Sequence, residues 1–131
     1  MIPLSECEVS MKKIYVCSPL SGDIENNIEN AKAYCEYVVK ECGAIPIAPH
    51  IYFTQFLDDN APDERAFGIM AGLQLLSECD ELWYFGDRVS KGMVTEIIAA
   101  KEQKIPVRYV PDEEIRNTKN EIKEGIEYVQ E

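Results

Sequence analysis

The sequence predicts one α/β domain, a mostly parallel sheet of four or five strands with helices on both faces. Three observations carry that prediction. Short apolar, β-rich runs alternate with longer segments of helical period, in the order β-α-β-α-β-α-β-α; such alternation makes right-handed crossovers and therefore parallel pairing. The strand candidates are apolar along most of their length, as strands covered on both faces are. The 131 residues are about one domain's worth of chain, and 46% are hydrophobic, enough for a core.

Residues 1–11 read as a leader, and 12–131 as the domain. Glu6 and Glu8 and the lack of a basic start argue against a signal peptide. Lys13 to Cys17 is the first buried strand. Ser18-Pro19-Leu20-Ser21-Gly22-Asp23 follows as a turn-rich loop. Ile24 to Cys42 has helical period, with Ile28, Ala31, Tyr34 or Cys35, Val38 or Val39, and Cys42 on one side. Asp23 is its N-cap and Gly43 its C-terminal stop. Ala44 to Ala48 is a short strand that Pro46 assigns to an edge, because proline cannot donate to a ladder. Pro49 to Asn60 reads as a long aromatic loop of the kind that carries function. Pro62 to Ser77 is a second helix, with Phe67, Met70, Ala71, Leu73 and Leu76 as core candidates. Asp80 to Phe85 is the central strand, ended by Gly86 and Asp87. Ser90 caps a third helix, Lys91 to Gln103. Ile105 to Val110 is a fourth strand. Pro111 to Glu131 is a polar amphipathic helix with Ile115, Ile122, Ile126 and Val129 on its apolar side. The arrangement is that of flavodoxin-like or Rossmann-like domains.

Composition narrows the function. The net charge of −11 argues against nucleic acid and against an anionic membrane surface, because both need a basic face. The longest apolar runs are strand-sized, so no transmembrane helix is predicted. Five scattered cysteines without a C-x-x-C pair, and one histidine, make a zinc site a poor reading. The cysteines read as reduced, buried small hydrophobes of a cytoplasmic protein. No metal or organic cofactor is implied.

The segment from Cys79 to Glu96 carries the chemistry. A helix N-terminus lies just past the carboxyl end of a strand, where open α/β sheets bind ligands. Its free N–H groups and the helix dipole favour an anion. Gly86 breaks the strand, Gly92 lets a ligand approach the backbone, Met93 faces inward, and Glu96 sits about one turn in, able to point into the same crevice. Each residue also has a plainer reading: Glu96 as a solvent-facing helix residue, Ser90 as a cap alone, His50 as a loop histidine, and Tyr52, Phe53 and Phe56 as packing against a second subunit.

Four segments taken together resemble the nucleoside 2-deoxyribosyltransferase-like superfamily, and within it small bacterial and phage members. They are Cys17-Ser-Pro-Leu-Ser-Gly22, Pro49-His50, Cys79-Asp-Glu-Leu-Trp83 and Ser90-Lys-Gly-Met-Val-Thr-Glu96, and the resemblance spans Lys13 to Val110. It implies that Glu96 is the nucleophile or acid/base group that breaks an N-glycosidic bond. It implies that Ser90 and Gly92 touch a 5′-phosphate or the sugar's 5′ end, and that Ser18 to Asp23 line the base or sugar pocket. A carboxylate suits this chemistry because it stabilises or traps an oxocarbenium-like centre. In catalytic members an aspartate on the second helix precedes the central strand's aspartate by eight residues; that position holds Gly72 here. His50 is a candidate proton carrier in its stead, by its ordinary pKa. The implied partner is a small nucleoside or nucleotide, and the implied assembly a homodimer or larger homo-oligomer. The alternative is a non-catalytic module that binds or sequesters such a ligand; a flavin- or phosphate-binding regulator is a third reading.

Overall fold

A computed structural model of the protein describes residues 11–116. Four parallel strands form one sheet in the order β2-β1-β3-β4. The strands are β1 (Lys13–Cys17), β2 (Ile45–Ile47), β3 (Glu81–Phe85) and β4 (Val107–Val110). The helices are α1 (Ile24–Cys42), α2 (Pro49–Phe53), α3 (Pro62–Leu76) and α4 (Lys91–Glu102). This is the flavodoxin-like strand order. The expected parallel α/β architecture is therefore the one observed, with four strands described.

Alternation along β1 and β3 sorts the core into two layers. Ile14 and Val16, with Trp83 and Phe85, face Tyr34, Tyr37 and Val38 of α1. Phe85 is fully buried and its ring stacks on Tyr34 with centroids 4.6 Å apart. Tyr15, Cys17 and Leu82 face the other way, onto Leu76 of α3 and Met93 and Ala100 of α4. A β-strand's period of two puts its neighbours on opposite faces, so Tyr15 and Cys17 share the face that α3 and α4 cover.

The helix ends follow local chemistry. Asp23 accepts from the Asn26 N–H at 3.3 Å. Gly43 takes the left-handed conformation (φ 60°) that ends α1, its N–H donating to the Val39 carbonyl; a side chain there would be strained. Pro46 lies on the edge strand β2, as its missing donor requires.

Three expectations need correction. Pro49 to Asn60 is not all loop: Pro49, fixed in φ, starts the short helix α2. Phe67 and Met70 are not core residues but 58% and 71% exposed, because α3 turns Gly72 and Leu76 to the sheet instead. Cys42, in the last turn of α1, is exposed. Of the other cysteines, Cys17 and Cys79 are buried and Cys35 is partly so, while Cys7 lies outside the described residues. Residues 112–116 are helical and Ile115 is buried in the α1 layer; Ile122, Ile126 and Val129, and the leader over 1–10, lie outside the described residues. No helix among the described residues is long and apolar enough to cross a membrane.

Candidate active site

The connection after β1 runs through α1 to β2, and the one after β3 runs through α4 to β4 on the opposite side. The carboxyl ends of β1 and β3 therefore flank a topological switch point, where a crevice opens because the two connections diverge. The loops after these strands meet there. Gly86, at φ 101°, lies against the first loop, where a Cβ would be in ordinary contact with Pro19 Cδ at 3.5 Å.

A cleft of about 520 Å³ opens at this point. The first loop contributes Ser18, Leu20, Ser21 and Gly22 to it, and the α4 segment contributes Ser90, Gly92, Met93 and Glu96. His50, Phe53 and Thr54 come from α2 and the residue after it, and Gly68, Ile69, Gly72 and Leu73 from α3. The structure thus brings together most of the predicted site residues. Three stay outside the lining: Asp23, whose carboxylate caps α1, and Pro19 and Gly86, which pack against each other behind it.

Glu96 is the best-held charged group of the cleft. The Tyr15 hydroxyl donates to its Oε2, and the Cys17 thiol lies 3.7 Å from its Oε1. Burial pushes its carboxyl up to about 7, and the two donors pull the other way by favouring the anion. Tyr15 and Cys17 are both driven well above their ordinary values by burial, with the Glu96 charge adding to it, so both remain protonated donors. Tyr15 was not among the sequence candidates. The signal for it is a phenol in a strand buried on both faces, where a hydroxyl must find a partner.

His50 Nε2 lies 3.1 Å from Ser18 Oγ, and Ser18 is buried. Burial lowers the imidazole to about 4, so His50 is neutral at physiological pH. His50 lines the cleft, but the ordinary pKa on which its role as proton carrier rests is not the one this setting gives it.

At the start of α4, Ser90 Oγ accepts from the Met93 N–H at 3.3 Å, and the Ser90 N–H donates to the Met93 thioether. Arg88 and Lys91 flank this turn and line the cleft. Neither forms an ion pair among the described residues, whereas Arg65 pairs with Asp59 at 2.8 Å. Two positive side chains beside a helix N-terminus make a local anion-favouring end on an acidic protein. Asp58, Asp59 and Glu64 line the cleft from the segment between α2 and α3 and the first turn of α3. Among the described residues, no group of three or more histidines, cysteines or carboxylates is arranged to hold a metal ion.

Residues 12–110 match the family model for a domain of unknown function, DUF7768. The chain belongs to the DUF7768 family. No curated protein matches it. Among solved structures, this DUF7768 domain is similar to a 2-deoxyribosyltransferase from the psychrotolerant bacterium Bacillus psychrosaccharolyticus. The two are 20% identical with a TM-score of 0.58, over 76% of this chain and 72% of that one. At that identity the likeness is one of fold, and the fold is that of the 2-deoxyribosyltransferases.

Proposed function

We propose that this DUF7768 domain cleaves the N-glycosidic bond of a nucleoside or nucleotide, with Glu96 as the nucleophile. The observation that carries this reading is a carboxylate with donors on both oxygens, Tyr15 and Cys17, set in a cleft at the sheet's switch point. Positioned donors fix the aim of the carboxylate and stabilise its charge without further reorganisation.

In the proposed reaction the ionised Glu96 attacks C1′ of the sugar. The Glu96 O–C1′ bond forms as the C1′–N bond breaks, and the electron pair of that bond leaves with the base. The base takes a proton from water, leaving hydroxide. Water or a second base then attacks C1′ and gives its proton to that hydroxide, while the C1′–O bond breaks and its electron pair returns to Glu96, giving hydrolysis or 2-deoxyribosyl transfer. Ser18, with neutral His50 behind it, and the rest of the first loop hold the base or sugar. Ser90, the backbone at Gly92 and the cations Arg88 and Lys91 hold the 5′ end, where they suit a phosphate. The chemistry calls for no metal or organic cofactor.

The same reading takes the domain to be a cytoplasmic homodimer or larger homo-oligomer. Tyr52, Phe56, Phe67 and Met70 are all more than half exposed, and Phe53 links Phe56 to Phe67 by edge-to-face contacts. An aromatic patch of this kind on an otherwise acidic surface fits a self-association face.

Release of free base from a panel of nucleosides and 5′-mononucleotides, followed by chromatography with and without an acceptor base, tests the proposal. Release with water alone gives hydrolysis, and exchange only with an acceptor gives transfer. Thermal stabilisation by one of these compounds without any release would replace the enzyme by the alternative, a module that binds or sequesters the ligand.

A further inference from the structure

Gly72 stands where the resemblance places a catalytic aspartate, and the simplest account of that difference is lost chemistry. The packing around it gives another. Gly72 is buried on the inward face of α3, over the same sheet face that carries Tyr15 and Cys17. A Cβ built at this position would lie 3.3 Å from the Tyr15 hydroxyl oxygen, tighter than an ordinary van der Waals contact. Tyr15 is 2% exposed and its hydroxyl is already committed to Glu96, so admitting that Cβ means shifting the phenol by a few tenths of an ångström. Its hydroxyl is the group that donates to Glu96 Oε2.

A Cβ placed on Gly68, one turn earlier on α3, would meet nothing within 4 Å. The tight approach is thus specific to position 72 and is not a general closeness of α3 to the sheet.

We propose that Gly72 is a positioning residue: its missing side chain leaves the space that the Tyr15 hydroxyl occupies while holding Glu96. A side chain at 72 presses on the Tyr15 hydroxyl while it holds Glu96, because its first atom would lie 3.3 Å from the phenol oxygen, which must then give by a few tenths of an ångström. This inference rests on the proposed role of Glu96, but its physical content, control of the Tyr15–Glu96 hydrogen bond, is measurable without turnover.

The test compares wild type, Gly72→Ala, Tyr15→Phe, the double variant and Gly68→Ala. Three quantities are read: the titration midpoint of Glu96 by NMR of labelled glutamate, the urea unfolding constant, and kcat and KM for base release. Tyr15→Phe removes a donor to the anion and raises the Glu96 midpoint. Gly72→Ala is expected to raise it in the same direction, and to add nothing in the Tyr15→Phe background, where no hydroxyl is left to displace. Alanine is a better helix former than glycine by about fivefold in the folding constant. Gly68→Ala and Gly72→Ala in the Tyr15→Phe background should show that gain, and Gly72→Ala alone should not. For activity, kcat falls in Gly72→Ala with KM little changed, and the double variant matches Tyr15→Phe.

An unmoved Glu96 midpoint in Gly72→Ala, or equal destabilisation by Gly72→Ala in both backgrounds, overturns the inference and leaves Gly72 a packing residue only. If wild type releases no base from any substrate, the proposed reaction fails, and the titration and unfolding results alone decide the role of Gly72.

Discussion

Replacing Glu96 by glutamine removes a charge that the fold holds against burial, and its effect on stability has a definite sign. The carboxyl titrates near 7 in the folded protein, against an ordinary value of 4.5, because burial disfavours the anion more than Tyr15 and Cys17 favour it. Between those two pH values the folded state holds a proton that the unfolded state has released. Stability therefore falls as pH rises through this window. At about 1.4 kcal/mol per pH unit, the interval from 4.5 to 7 amounts to a loss on the order of 3 kcal/mol by pH 8. Glu96→Gln cannot ionise, and its side-chain oxygen can still accept from Tyr15. The variant should be more stable than wild type at pH 8 by on the order of 3 kcal/mol, and the advantage should shrink to little at pH 4.5. Urea unfolding at the two pH values, with unchanged m, measures it. A variant less stable than wild type at pH 8, or a difference independent of pH, would refute the reasoning that burial dominates at Glu96.

Other expectations follow from the same contacts. Base release should rise about tenfold per pH unit up to a bend near 7, because only the ionised Glu96 attacks; a flat profile from pH 5 to 8 would contradict that role. Phe85→Ala should cost about 3–5 kcal/mol in urea unfolding, since Phe85 is fully buried and stacked on Tyr34. Ser90→Ala removes the acceptor for the Met93 N–H and should cost about 1 kcal/mol. If Ser90 also holds a 5′-phosphate, thermal stabilisation by a mononucleotide should drop more than that by the parent nucleoside. Phe67→Glu with Met70→Lys should leave the far-ultraviolet circular dichroism of the fold intact and shift sedimentation towards monomer.

The parts of the fold legible in sequence were those with a period and an end signal. Gly43 stops α1 and Pro46 assigns β2 to an edge, each by a backbone property that belongs to the residue itself. The short helix α2 was not legible, because five residues are too few to show a helical period and its proline also reads as a loop. Phe67 and Met70 misled for a different reason. Apolar residues lie all round α3, and only the packing of Gly72 and Leu76 reveals which side meets the sheet. At the cleft, the strand–loop–helix order located Ser90 and Glu96, since local geometry brings them together. Tyr15 was hidden because it sits 81 residues from Glu96 in an unbroken apolar strand, where sequence does not say which face a residue takes. The place of Asp58, Asp59 and Glu64 on the cleft depends on how the segment after α2 folds back, which no local pattern encodes.

The most direct test of Glu96 as nucleophile is intact-mass spectrometry of the protein quenched during reaction with its best nucleoside or nucleotide substrate. The expected result is a gain equal to the sugar residue, with the 5′-phosphate where the substrate carries one, mapped by peptide digestion to Glu96. That gain should be absent from Glu96→Ala, which should also release no base. An adduct on another residue, or base release that survives in Glu96→Ala, would contradict a nucleophilic Glu96.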